Sequence, residues 1–183
     1  MRWRGLVKEL RRRGLTVKVV KGWKGRGRSG LHAVGVMYHH TASSRKSGDI
    51  PCVGLVTHGA GNTAPGPLCN FLAGRKGTVV VVAKGKANHG GLGGPYGGWL
   101  PKDSANGYTI GVECENDGRG EPWSPEQKEA IALLFAVLLK RMGRGYKRVI
   151  GHKEYTTRKP DPAGIDMNKF RTRVRRVLRG IKK

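Results

Sequence analysis

The sequence predicts one α/β domain with a central mixed β-sheet flanked by helices. Three observations carry that expectation. Short β-branched runs, LTVKVV at 15–20, TVVVVA at 78–83 and YTIGVECE at 108–115, are interspersed with helical patterns, the mixture that packs helices on a sheet. The length, 183 residues, suits one domain of ordinary size. The 30 glycines, about twice the usual share, lie between the apolar runs and read as loops on a compact body.

The elements follow in order. Residues 3–14 read as a short helix with Trp3, Leu6, Val7 and Leu10 on one face and Gly14 ending it. Residues 15–20 alternate like a strand, and 21–30, KGWKGRGRSG, form a basic glycine-rich linker. Residues 33–39, AVGVMYH, read as a buried strand running into His40 and Thr41. Residues 41–68, rich in Gly, Pro, Ser and Thr, read as loop, and 69–76 precede the next strand. The unbroken β-branched run at 78–83 predicts a strand covered on both faces. Residues 84–107 are a glycine-rich loop, and loops this long inside compact domains are usually functional. After the strand at 108–115, Ser124 is an N-cap, Pro125 the first helical residue and Gln127 the partner that completes a capping box. The helix runs to Gly143 as its C′ residue, with Ile131, Leu134, Phe135, Leu138 and Leu139 making it a core helix. A short strand at 148–151, a loop at 152–166 and a last helix from about Asp166 complete the chain. That helix has Phe170, Val174, Val177, Leu178 and Ile181 on one side and arginines on the other.

The composition narrows the function classes. No apolar run approaches the ~18 residues of a membrane span, no heptad persists, and the start, MRWRGLVKELRRRG, lacks the apolar region of a secretory signal. Three cysteines, Cys52, Cys69 and Cys114, are an odd set without CxxC spacing, which argues for reduced, small apolar side chains rather than disulfides or a thiolate zinc finger. The formal net charge is +24, from 36 Lys+Arg against 12 Asp+Glu. Residues 1–30 hold eleven of the cations and one acid, Glu9; residues 169–183 hold eight and no acid. Such ends attract polyanions: nucleic acid, anionic lipid or anionic cell-wall polymer.

Few side chains are equipped for polar chemistry. Of the six histidines, His39/His40, His89 and His152 sit at the end of a predicted strand or in the loop after one, where α/β folds place sites. A catalytic zinc site needs three protein ligands and one open position. His39 and His40 are neighbours on a strand and point to opposite faces, so only one of them can ligate. Lys159 and Asp161 follow His152 in one loop. Composition and spacing alone favour ordinary loop and core histidines over a metal site.

Four motifs in order shift that balance: MYHHTAS, ANHGG, YTIGVECEN and VIGHKEYTTRKPDP. Together, over about residues 33–178, they resemble the type 2 N-acetylmuramoyl-L-alanine amidase family, the superfamily of peptidoglycan recognition proteins, and phage endolysin amidase domains in particular. The resemblance implies an amidase-like fold, with a basic segment at 1–30 and a zinc amidase catalytic domain at 31–183. It implies Zn2+ held by His39, His152 and Asp161, with Glu113 as acid/base and Lys159 stabilising the oxyanion. Glu115 is the alternative base and His40 the alternative ligand. The family also places a histidine beside the site, which His89 matches. His89, Tyr96 and Trp99 are expected to line the substrate groove. The substrate implied is bacterial peptidoglycan, cut between N-acetylmuramic acid and L-alanine, by a monomer that waits in the host cytoplasm until lysis. The basic ends would hold it to anionic wall polymer or membrane. A peptidoglycan-binding module without activity and a basic nucleic-acid-binding protein are the competing readings; no nucleic-acid-binding motif supports the second.

Overall fold

A computed structural model describes residues 1–181; Lys182 and Lys183, the last cations of the basic C-terminal stretch, lie outside the described residues. The strands are β1 Val17–Val19, β2 Gly35–Tyr38, β3 Gly59–Ala60, β4 Ala64–Pro65, β5 Phe71–Ala73, β6 Val79–Val81, β7 Thr109–Cys114 and β8 Val149–Gly151. The helices are α1 Leu6–Arg12, α2 Val53–His58, α3 Ala105–Tyr108, α4 Pro125–Met142, α5 His152–Tyr155 and α6 Met167–Gly180. Six strands form one sheet in the order β1-β6-β5-β7-β2-β8, while β3 and β4 pair as a separate small hairpin. β5, β7, β2 and β8 are parallel; β6 and β1 run the other way. The sheet is therefore mixed, as expected.

Strand alternation divides the side chains between two faces. Val36 and Tyr38 of β2, Ile110, Val112 and Cys114 of β7, and Val79 and Val81 of β6 join the main core under the helices. Met37 and Ile150 face the other way, against Leu100, Ala105 and Tyr155 of the long loop and its flanking helices. Val80 and Val82 meet Cys52, Val56 and Cys69 on that second face. The β-branched run at 78–83 is thus covered on both sides. The three cysteines are free and buried.

α1 lies over β1, α4 over the centre of the sheet and α6 beside β8, making one helix layer. The N-terminal segment is not a separate unit: Leu6 and Leu10 are fully buried in the main core, and Trp3 stacks on Phe71 at 5.8 Å. The apolar side of α6 packs inward through Phe170 and Val174. Among the described residues no helix is long and apolar enough to cross a membrane.

The ends of α4 form as the sequence dictates, with one exception. Ser124 Oγ accepts the Gln127 N–H at 3.1 Å, and Gly143 closes the helix at φ 64°, the left-handed conformation that glycine reaches without a Cβ penalty. The Gln127 side chain does not complete a capping box; its amide donates to the Glu115 carbonyl at 2.8 Å. The stretch read as loop at 41–68 contains α2 and the β3–β4 hairpin, β5 lies in 69–76, where no element is predicted, and α5 occupies the start of the stretch read as loop at 152–166. These elements are two to six residues long, too short to display a period.

Replacing Ser124 with Ala is expected to lower stability by about 1 kcal/mol through loss of the cap, read as a shift of the urea midpoint at unchanged m value.

Candidate active site

The site is built at the carboxyl ends of three adjacent parallel strands. The ladder continues past β2, the His39 N–H donating to the Val112 carbonyl at 3.0 Å. Alternation turns His39 to the face opposite the helix layer and sends His40 away from it. His152 opens α5 immediately after β8. Asp161 is brought in by its loop, which is held from two sides: the Lys153 N–H donates to the Asp161 carbonyl at 2.7 Å, and His40 Nδ1 accepts the Ala163 N–H at 3.1 Å.

Three donor atoms meet there. His39 Nδ1 lies 3.1 Å from His152 Nδ1, and each lies 3.0 Å from Asp161 Oδ2. All three residues are buried. Ligands on a tetrahedral zinc at ~2.0–2.1 Å stand about 3.3 Å apart, so this triangle needs only a few tenths of an ångström of expansion to hold such an ion. Two imidazoles and a carboxylate are also the donor types zinc takes.

Each imidazole is anchored through its other nitrogen. His152 Nε2 donates to the Gly90 carbonyl at 3.0 Å. His39 Nε2 faces His89 Nδ1 at 3.1 Å, and His89 Nε2 faces the Thr109 carbonyl at 3.3 Å. A carbonyl can only accept, so Thr109 fixes the proton on His89 Nε2. His89 Nδ1 must then accept from His39 Nε2, which leaves the lone pair of His39 Nδ1 directed at the triangle. His89 fits in this place because residue 111 is glycine: a Cβ there would stand 2.4 Å from the imidazole ring.

Burial pulls the His39 pKa down to about 4 and that of His89 well below the usual range, so both imidazoles are neutral at pH 7. Burial works to raise Asp161, but the imidazoles of His152 and His39 beside it outweigh burial and hold the carboxyl well below the ordinary range. Glu113, on β7, is the opposite case. Burial first, then Asp161 and Glu115, push it up to about 8, against a smaller pull from Lys159. Its Oε1 is 4.0 Å from His39 Nδ1, and its Oε2 is buried with no partner. Lys159 is exposed and lines the same cleft of about 460 Å³.

Residues 30–164 of the chain match the N-acetylmuramoyl-L-alanine amidase family. The chain belongs to that family. As a member it is a peptidoglycan amidase, and its fold is shared by solved relatives. A mutant endolysin from Bacillus subtilis superposes with a TM-score of 0.65 at 14% identity, over 87% of this chain and 99% of that one. The Ph2119 endolysin from Thermus scotoductus MAT2119 bacteriophage Ph2119 gives 0.57 at 17%, over 86% and 98%. AmpDh3 from Pseudomonas aeruginosa, in complex with anhydromuramic pentapeptide, gives 0.60 at 19%, over 84% and 64%. No curated protein matches the chain by sequence.

The structure sorts the other expected residues of the amidase. Glu115 is fully buried and committed elsewhere: Thr41 Oγ1 at 2.8 Å and Ser43 Oγ at 2.5 Å meet its Oε2, and the Cys52 N–H donates to its Oε1 at 2.8 Å. It clamps the loop after His39 rather than facing the triangle. His40, turned to the far side, is no ligand here. Tyr96 and Trp99 do not line the cleft, a correction to the expected groove. Trp99 lies over Gly35, where a Cβ would meet its ring at 2.5 Å, and under the Arg148 guanidinium at 5.1 Å; Tyr96 Oη accepts from Arg171. Both rings cover the sheet. The cleft wall comes instead from Thr63, Pro65, Leu68, Asn88, Asn106 and Arg158, which no sequence pattern singled out.

Two outcomes follow for the amidase. His89→Leu is expected to weaken divalent-metal affinity ~10–100-fold, the usual scale for a lost partner of a ligating histidine. His89→Asn, whose carbonyl can accept where Nδ1 does, recovers most of it; chelator competition measures both. Glu113 has a folded pKa above its unfolded value, so between about pH 4.5 and 8 the folded state holds a proton that the unfolded state has lost, and stability falls as pH rises. Chelator-treated Glu113→Gln should therefore gain in melting temperature over the parent from pH 5 to 8.5; a constant difference would contradict the buried neutral carboxyl.

Proposed function

We propose that this amidase is a zinc-dependent phage endolysin. It cuts the amide between the lactyl group of N-acetylmuramic acid and L-alanine, and it acts at the host wall after accumulating in the host cytoplasm. One observation carries the reading: three buried donor atoms converge within 3.1 Å, and Glu113 stands beside them with Oε1 4.0 Å from His39 Nδ1 and Oε2 unpartnered. Neighbours described as endolysins and a relative bound to anhydromuramic pentapeptide support the substrate and setting.

Zinc held by His39 Nδ1, His152 Nδ1 and an Asp161 oxygen supplies Lewis acidity, polarising the scissile carbonyl and acidifying a water. The residues of the chain do the rest. The Glu113 carboxylate takes the proton as the water oxygen bonds to the carbonyl carbon. It returns that proton to the alanine nitrogen as the C–N bond breaks, leaving a muramoyl carboxylate and a free amine. The pocket raises the basicity of Glu113 toward neutrality, where one group serves both transfers. Lys159, on the cleft rim, offers its ammonium to the oxyanion. His89 and the Gly90 carbonyl keep both imidazoles oriented throughout.

The test is digestion of purified peptidoglycan. New free amino groups without new reducing ends, abolished by chelator and restored by zinc, are expected. Glu113→Gln should lower turnover ~100-fold or more while zinc still binds, and Lys159→Ala ~100-fold. Reducing ends would mean a glycosidase; binding without cleavage would mean a recognition module.

A further inference from the structure

The segment that matches the amidase family ends at residue 164 and begins at 30. Outside it, residues 1–29 and 165–183 hold nineteen of the 36 Lys+Arg and only two of the 12 acids, Glu9 and Asp166. The catalytic chemistry uses none of these cations. The fold brings those of α1 and α6 together, since α1 and α6 flank α4 in one layer on the sheet face away from the cleft, while Lys18 to Arg28 lie on β1 and the segment after it.

α6 displays the charge most clearly. Lys169, Arg173, Arg175, Arg176 and Arg179 are exposed, and among the described residues none forms an ion pair; Arg171 alone pairs, with Glu154. Their spacings repeat as i,i+3 and i,i+4, positions where like charges oppose helix formation. In the N-terminal segment Arg2, Arg4, Lys8, Arg11 and Arg12 are exposed, and only Arg13 meets an acid, Glu9, which it shares with Arg141. A row of cations that costs local stability and serves neither the core nor the site fits an external polyanion.

We infer that the helix layer, centred on Lys169, Arg173 and Arg176 of α6, is a docking surface for a linear anionic polymer of the cell wall, phosphodiester or uronate in chemistry. The inference rests on the amidase reading, because the wall that carries such polymers also carries the substrate. Two other polyanions fit the surface less well. A membrane would require apolar side chains beside the cations, and those of α6 turn to the core: Met167, Phe170 and Val174 are buried in it, and Val177 and Leu178 pack half-buried against it. Single-stranded nucleic acid would require open aromatic faces for stacking, and Tyr146, the ring beside α6, is already covered by Arg175 at 5.2 Å.

The experiment compares the parent with Lys169→Glu/Arg173→Glu/Arg176→Glu in sedimentation with purified walls, untreated or stripped of phosphodiester and uronate polymers. For the parent, affinity is expected to fall at least ~10-fold on stripping and ~10-fold between 50 and 500 mM salt, as counterion release requires. The triple variant should bind untreated walls at least ~10-fold more weakly, yet hydrolyse a soluble muramoyl peptide at the parent's kcat/KM, which also shows that it folds. Lys169→Gln/Arg173→Gln/Arg176→Gln should fall between. Equal binding to stripped and untreated walls would overturn the inference, as would tighter binding to anionic vesicles or to DNA fragments than to untreated walls. Loss of soluble hydrolysis by the parent would strike the amidase reading instead and leave the binding result to stand alone.

Discussion

One polar group must share a buried point with two others more than a hundred positions away in sequence, and the rest of the structure is arranged around that demand. His39 lies 113 residues before His152 and 122 before Asp161, yet their donor atoms meet at 3.0–3.1 Å. Polar atoms so close in a buried pocket are costly unless each is satisfied. The fold answers by giving every member of the triangle a second anchor on the backbone. His152 reaches the Gly90 carbonyl, His39 reaches Thr109 through His89, and the Asp161 loop is tied by the Lys153 N–H and by His40. The anchors come from the parallel strands and from the glycine-rich loop that crosses their ends. That loop must come close to the sheet, and the bare backbone at Gly111 leaves room for His89.

The same demand sets the electrostatics. In a chain of net charge +24, Asp161, Glu113 and Glu115 are gathered at one end of the sheet. They are kept distinct by their partners. Asp161 faces the Nδ1 atoms of two histidines, Glu115 takes two hydroxyls and a backbone N–H, and one oxygen of Glu113 takes nothing. Environment thus separates three similar side chains: one in the donor triangle, one a clamp, and one with a free oxygen that the proposed mechanism uses as its proton carrier. The assignment follows from what each carboxylate lacks as much as from what it touches.

The sequence disclosed some of this and concealed the rest for physical reasons. The strand AVGVMYH revealed that His39 and His40 must part, because a strand has period two, and the caps of α4 were plain because Ser124 and Gly143 act locally. The ligand set was not visible in spacing; only the order of four motifs suggested it. β5 and α5 escaped because three or four residues cannot show a period. Tyr96 and Trp99 misled because an aromatic ring in a glycine-rich loop looks the same whether it faces ligand or sheet. The place of His89 had a trace in the sequence that was easy to pass over: Gly111 interrupts β-branched and apolar residues in the middle of a strand, and such a glycine often marks a close approach from another segment. Gly35 beneath Trp99 is a second instance of the same mark.

The exposed cations of α1 and α6 lie in the helix layer and the Glu113 carboxyl on the opposite face of the sheet, and that separation has a functional logic. A polyanion held in the cleft would compete with the stem peptide and bring negative charge toward a carboxylate that must give and take a proton. Placing the unpaired cations on α1 and α6 keeps the polymer on the far side of the sheet, with a layer of helices and the sheet between it and Glu113. Screening adds to the separation, since at physiological salt a charge is largely screened beyond ~8 Å through solvent. Arg158 and Lys159 do stand at the cleft. The charge of Lys159 lowers the pKa of Glu113 and, in the proposed mechanism, meets the developing oxyanion, while the cations of α1 and α6 are left to the proposed polymer.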